Sequence, residues 1–212
     1  FFNSITPEIL FVSCEKRNIK LSSAESRLLR QIAFWDKAKL RVGNVVLSVG
    51  APSSPLISNF IMYEFDCAVY EYCKMRSINY SRYADDITFS TKEKGLLFEV
   101  PQFIKKQLKL LFDNKITIND TKTKFSSKAH NRHVTGITIT NDNKLSVGRS
   151  RKRLISTLIH KYTIGALDED DSVYLQGMLA FAIQIEPDFR RKMELKYSAD
   201  TVLNILKIRV GT

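Results

Sequence analysis

Acidic residues are scarce in this chain: 22 Asp and Glu face 33 Lys and Arg in 212 residues, a formal charge of +11. An excess of that sign suits a polyanionic partner, although basic proteins without one are common. Cysteine is scarcer still. The three present, Cys14, Cys67 and Cys73, have no metal-ligand spacing, which argues against a zinc module, and they read as reduced core thiols of a cytosolic protein. No run reaches the roughly 18 uncharged apolar residues that span a bilayer. There is no secretory signal either, so no membrane partner is implied and cytoplasmic localisation is the default expectation. Internal repeats and low-complexity tracts are also missing. What is there is globular material: 44% hydrophobic residues suffice for a sizeable core in one large or two small domains.

Against that background residues 78–90, INYSRYADDITFS, stand out. Two runs with strand composition, 78–83 and 87–90, flank a tight turn. The turn puts Asp85 and Asp86 side by side at a hairpin tip. A bare Asp-Asp pair is ordinarily a solvated loop, since Asp is a favoured turn residue. Phosphoryl transfer, however, needs hard oxygen ligands on a rigid element to hold two Mg²⁺ ions, and a hairpin tip supplies them.

The string SRYADDITFS resembles the catalytic signature of reverse transcriptases, most of all those of bacterial retrons. Three further segments are similar to that family's and follow its order: GAPSSPLISN at 50–59, NDTKTK at 119–124 and HVTG at 133–136, whose VTG triplet resembles the one that sets the retron type apart. The resemblance implies an α/β fold: a palm, residues 1–148, with an antiparallel sheet backed by helices, followed by an α-helical thumb, residues 149–212. It implies RNA-directed DNA synthesis, in which a primer hydroxyl attacks the α-phosphate of a deoxynucleotide, with Asp85 and Asp86 as catalytic carboxylates and ligands of two Mg²⁺ ions. Phe2, Gly50, Ala51, Pro52 and Tyr83 fall at nucleotide-binding positions, and His133, Val134, Thr135 and Gly136 at the RNA and primer site. In place of the Pro-Gln pair common before the family's glycine stand Ser48 and Val49, so one side-chain amide contact to the nucleotide is lost. The chain opens FFNSI without Met, and in the family that string follows the first catalytic aspartate by a few residues. The expectation is therefore a portion of a longer enzyme, with that aspartate and the fingers lying upstream.

Along the chain, Thr6-Pro7-Glu8 marks a helix start running to about Arg17, and Ser22 with Glu25 a second, with Leu28, Leu29, Ile32, Ala33 and Trp35 at helical spacing. Residues 41–49 read as a ribbon or loop into the GAPSSP turn. A long helix follows over 55–75, carrying Leu56, Phe60, Met62, Phe65, Ala68, Val69 and Tyr72 on its apolar face. Residues 95–113 form an amphipathic helix, 117–124 a strand and turn, and 132–140 an alternating strand that turns at 141–143 into a hairpin. A basic helix over 149–162 presents Arg149, Arg151, Lys152, Arg153, His160 and Lys161, which suits a duplex backbone and would equally suit a solvated face. The acidic linker TIGALDEDD, 163–171, precedes two helices, 172–185 and 188–208.

Lys122 is either a proton donor to the leaving pyrophosphate, as the resemblance implies, or one more solvated lysine. The family's partners are a structured non-coding RNA, the RNA–DNA product and deoxynucleotide triphosphates, with an effector protein in an antiphage system. A group II intron or other defence-associated reverse transcriptase is the alternative inside the class, and the VTG triplet argues against the intron. A non-catalytic nucleic-acid-binding scaffold is the alternative outside it. Phe2 is expected to be the residue that stacks under the deoxyribose and collides with a 2′-hydroxyl, the competing expectation being an ordinary core residue. Phe2→Ala should then relax discrimination against ribonucleotides, read as the ratio of deoxy- to ribonucleotide incorporation efficiency. An unchanged ratio in a folded variant would leave Phe2 in the core.

Overall fold

The computed structural model describes residues 1–36, 45–130 and 132–208, and within them helix starts follow the capping residues of the sequence. Pro7 opens α1 (Pro7–Lys16) behind Thr6. Ser22 and Glu25 cap α2 (Ser23–Ala33) reciprocally, the Ser22 hydroxyl accepting from the Glu25 N–H and the Glu25 carboxylate accepting from the Ser22 N–H, as a Ser-x-x-Glu spacing predicts. Trp35 is not part of that helix: Phe34 turns extended and opens β1 (Phe34–Asp36), which pairs antiparallel with β2 (Val45–Leu47). β-branched and aromatic residues favour the strand there over another helical turn. The expected ribbon over 41–49 is described only from Val45 onward; 41–44 lie outside the described residues.

The chain divides into two compact units, Phe1–Lys124 and Phe125–Thr212. This division falls earlier than the expected one after residue 148, because the strands of 132–146 pack with the helices that follow them. In the first unit the core is built on α3 (Ser54–Lys74), whose buried positions Ile61, Met62, Phe65, Val69 and Cys73 recur at helical spacing. Leu56, expected on that face, is 73% exposed. Cys67 is exposed as well, while Cys14 and Cys73 are the buried thiols. Against α3 lie α1, the hairpin β3 (Asn79–Tyr83) with β4 (Asp86–Ser90), and α4 (Val100–Phe112). Helix α4 buries Val100, Ile104, Leu108 and Phe112, one residue per turn at i, i+4. It docks through Phe103, whose ring stacks 3.7 Å from that of Tyr72 on α3. Residues 117–124 form no strand. The segment is an Asx turn instead, with the Asn119 side-chain carbonyl accepting from the N–H groups of Thr121 and Lys122, a local bond with which a ladder would have to compete.

The second unit opens on a meander of β5 (Arg132–Val134), β6 (Ile137–Ile139) and β7 (Leu145–Ser146). The alternation that suggested one strand over 132–140 is therefore split by a turn at Thr135 and Gly136. Four helices complete it: α5 (Arg149–Thr163), α6 (Glu169–Ile185), α7 (Pro187–Tyr197) and α8 (Ala199–Leu206). The last two were expected as one helix; Ser198, at φ +90°, breaks it and caps α8 through its hydroxyl. Their core is Ile155, Leu158 and Ile159 of α5 with Leu175 and Leu179 of α6, Phe189 and Met193 of α7, and Val202 and Ile205 of α8. Among the described residues the small antiparallel sheets have two, two and three strands rather than forming one sheet. No helix among the described residues is long and apolar enough to cross a membrane.

Glu186, between α6 and α7, ties the second unit's meander to its helices. Its carboxylate accepts from the Ser146 hydroxyl at 2.8 Å, the Val147 N–H at 2.9 Å and the Lys152 ammonium at 2.6 Å. Burial alone would push this carboxyl up, but those three donors outweigh it and hold the group below the usual carboxylate range. A depressed folded-state value stabilises the fold above the unfolded value of about 4.3, and that contribution is lost as pH falls through the folded value. Glu186→Ala should therefore lower unfolding free energy at pH 7 by about 1–3 kcal/mol, the range for stranding buried donors. The deficit should shrink as the pH drops below about 4, as followed by urea unfolding with circular dichroism. A deficit that stays constant down to the acid limit would show that the charge contributes nothing.

Candidate catalytic hairpin and nucleic-acid interface

The carboxylate hairpin forms as a two-residue turn. Tyr83 pairs with Asp86, Arg82 with Ile87 and Tyr80 with Phe89, so Ala84 and Asp85 make the bend and Asp86 is the first residue of β4. Cross-strand partners share a face. Tyr80, Arg82, Ile87 and Phe89 turn toward α3, with the Tyr80 and Phe89 rings 5.4 Å apart. Tyr83, 76% exposed, shares the opposite face with Asp86. Ala84 has φ +52°, the left-handed region that two-residue hairpin turns demand and that glycine occupies most cheaply. An alanine there costs on the order of 1 kcal/mol and persists only where the surroundings over-determine it.

Arg82 supplies that constraint. Its Nε and Nη2 form a fork on the two oxygens of Asp66 in α3, at 2.8 and 2.5 Å, and its Nη1 donates to the Ala84 carbonyl at 2.9 Å and to Asn59 Oδ1 at 3.2 Å. The Tyr80 hydroxyl donates to Asp66 Oδ1 at 2.6 Å. The Arg82 side chain is only 7% exposed. Burial pushes the Tyr80 phenol up, with the Asp66 hydrogen bond adding to it, and the bonds to Asp66 raise Arg82 in turn, so the arginine is a fixed cation. Asp85 and Asp86 are exposed, and their carboxylates take no hydrogen bond or ion pair among the described residues. Two adjacent free carboxylates fit an oxygen-preferring divalent ion, since Mg²⁺ is commonly held by one or two carboxylates, with water and substrate phosphates completing the shell. No cluster of three or more potential ligands occurs among the described residues.

The segment 50–59 sits at the entry to α3. Gly50, at φ +85°, takes the positive φ that the turn requires, and the buried Ser54 closes it, its hydroxyl donating to the Ser48 carbonyl at 2.5 Å. Gly50 and Pro52 are exposed and Ala51 half-buried. Phe2 lies in a short 3-10 turn, half-buried against the core, its ring 5.4 Å from that of Phe1. Lys122 stands on the Asn119 turn, exposed, and its ammonium makes no hydrogen bond or ion pair among the described residues.

In the second unit the VTG triplet is itself a turn. Thr135 and Gly136, with φ +45° and +81°, join β5 to β6, a pattern of two positive φ values that suits the strand twist. Arg151 of α5 holds it: its Nη1 donates to the Gly136 carbonyl at 2.6 Å, and its guanidinium lies 5.9 Å from the Phe181 ring. His133 Nδ1 is 3.2 Å from the Thr138 hydroxyl, and Val134 is half-buried. Of the arginines expected on the basic face, Arg149 and Arg153 are exposed, whereas Arg151 is half-buried in this contact. Lys152 belongs to the Glu186 pair, so the solvent-facing basic residues of α5 are Arg149, Arg153, His160 and Lys161.

Sequence reasoning singled out neither Arg82 nor Asp66. One signal was available: an arginine at an inward position of a strand and a carboxylate within a core helix are each costly unless paired. The family model "Reverse transcriptase (RNA-dependent DNA polymerase)" matches residues 1–139. The retron Ec83 reverse transcriptase of Escherichia coli is 48% identical over 211 residues, 100% of this chain and 68% of that protein. The retron Ec73 enzyme of the same organism is 33% identical over 177 residues, 81% of this chain and 53% of that protein. The retron Ec86 enzyme is 30% identical over 148 residues, 70% and 44% of the two chains. The chain thus spans about two thirds of the first relative's length and about half or less of the other two.

Thr135 gives a test of the turn. A β-branched residue at positive φ is strained, so Thr135→Gly should raise stability by about 0.5–1 kcal/mol. If the threonine side chain also meets the RNA, the same variant should make less DNA on its own RNA than on a generic primed template. Equal activity on the two templates, with the stability gain, would confine Thr135 to the turn.

Proposed function

The chain belongs to the reverse transcriptase family, in its retron branch, and from that premise we propose that it is the portion of an RNA-directed DNA polymerase that carries the Asp85–Asp86 metal site. The observation that carries the proposal is a pair of exposed carboxylates, unpartnered among the described residues, on a hairpin fixed by Arg82. Free carboxylates at a rigid apex are the donor set that nucleotidyl transfer requires, and side chains already engaged in ion pairs could not serve.

In this reading Asp85 and Asp86 hold divalent ions, Mg²⁺ by the oxygen chemistry of the donors, at the hairpin tip. When bound there, such ions would supply the positive charge that offsets charge developing on the transferred phosphoryl group. The protein's own task is orientation. Tyr83, on the same face of the hairpin as Asp86, and the exposed turn of Gly50, Ala51 and Pro52 serve the incoming nucleotide, with Phe2 as the residue that senses the sugar. Lys122, with its ammonium uncommitted, is assigned as the proton donor to pyrophosphate. His133, Val134, Thr135 and Gly136 meet a structured RNA and the primer end, and Arg149 and Arg153 contact its phosphates, Arg151 acting through the turn that it holds. We assign residues 1–148 to a palm and 149–212 to a thumb, and the enzyme to the cytoplasm, where a partner RNA and an effector protein serve antiphage defence.

The decisive substitution is Asp85→Asn or Asp86→Asn in the complete enzyme. Removing one charge needed in the transition state should lower primer extension by about a hundredfold or more, with unfolding behaviour and RNA binding near those of the parent. Extension near the parental rate by Asp85→Asn would remove the hairpin from the chemistry.

A further inference from the structure

The hairpin has a strained apex and a single arginine beneath it, and the two observations belong together. Arg82 satisfies four hydrogen bonds at once: two to Asp66, one to Asn59 and one to Ala84. The first two anchor the guanidinium to the middle of α3, and Tyr80, bonded to the same carboxylate, closes the fork from the side. That leaves one nitrogen, Nη1, free to reach past the strand to the apex. The carbonyl it grips belongs to the residue at φ +52°, immediately before Asp85. Holding that carbonyl fixes the peptide plane between Ala84 and Asp85, and with it the direction in which the Asp85 side chain leaves the backbone.

We propose that Arg82 is the positioning residue of the catalytic turn, with Asp66 fixing its guanidinium and Asn59 its approach, so that α3 sets the relative orientation of the two carboxylates. The proposal rests on the reading of Asp85 and Asp86 as the metal-holding pair. Two features separate this role from ordinary core bracing. The network terminates on the turn carbonyl and not on the strand ladder, which the β3–β4 pairing already satisfies. It also demands a planar fork, since a lysine at 82 offers a point charge that can satisfy Asp66 or Ala84 but cannot span both.

The test compares Arg82→Lys and Asp66→Asn with the parent in the complete enzyme, first by hydrogen–deuterium exchange of the backbone amides of residues 84–87. This readout does not depend on polymerase activity. Exchange at the apex should accelerate by roughly tenfold or more in Arg82→Lys, the scale for losing a hydrogen bond to a charged group. It should accelerate less in Asp66→Asn, which keeps the Ala84 contact. Amides of α3 and α4 should hold their rates. In primer extension the same variants should lose kcat and need more Mg²⁺ for half-maximal rate, with the KM for deoxynucleotide changing less than the kcat. Apex exchange unchanged in both variants would overturn the proposal, as would acceleration spread evenly over the first unit, which would mark Arg82 as a general brace. An inactive parent enzyme would count against the polymerase reading alone, because the exchange comparison still decides what holds the apex.

Discussion

A buried arginine is tolerable only when its charge is answered, and Arg82 is answered by Asp66 with two parallel bonds and by a phenol that completes the carboxylate. The geometry of the hairpin apex depends on that pair. Desolvating two charges is expensive, and in general such pairs contribute less to stability than a well-packed apolar equivalent. What this pair supplies is direction: the fork is planar, Asp66 is set in a helix that is itself locked by Met62, Phe65 and Val69, and the remaining nitrogen is aimed at the hairpin apex. Breaking the pair would strand a charge, so the arrangement is held as all or nothing.

The same device recurs in the second unit. Both two-residue turns that carry motif residues place a non-glycine side chain at positive φ, Ala84 in one and Thr135 in the other. In each an arginine from nearby chain donates Nη1 to a carbonyl of the turn, Arg82 to Ala84 and Arg151 to Gly136. A strained turn alone would sample other conformations. Strain with a charged donor on its carbonyl has one favoured geometry, and the residues it displays are ordered in advance. The consequence for Arg151 is that its charge counts partly toward holding the turn, so the solvent-facing charge of α5 rests on Arg149, Arg153 and Lys161.

Glu186 does for the second unit's meander what Asp66 does for the hairpin. It draws a serine, a backbone N–H and a lysine onto one carboxylate, joining β7 to the start of α5. This is why the strands of 132–146 group with the helices after them. A boundary drawn from motif identity divides the chain by what its segments are for; the contacts divide it by what each segment is held to.

Much of this was legible in residue order. Helix starts at Ser22 and Pro7, the hairpin around 84–85 and the apolar faces of α3 and α4 follow from local chemistry: capping, alternation and helical spacing; the family follows from the resemblance of four motifs in order. These depend on neighbours within a few positions, which a sequence displays directly. The failures are equally local in form but were decided elsewhere. Trp35 left its helix because β2 was there to pair with β1. Residues 117–124 preferred an Asx turn to a strand, the alternating run at 132–140 folded back on itself at Thr135, and the last helix broke at Ser198. For Arg82 and Asp66, strand alternation and helical spacing show that each charge needs a partner, but not that the partners are each other across sixteen positions, nor that Glu186 meets Ser146 across forty. Sequence by itself determined which residues can do the chemistry, because reactivity is a property of side-chain type. Only the tertiary structure decided which of them are free to do it, because a carboxylate or a guanidinium is available to a ligand only when no partner from elsewhere in the chain has claimed it.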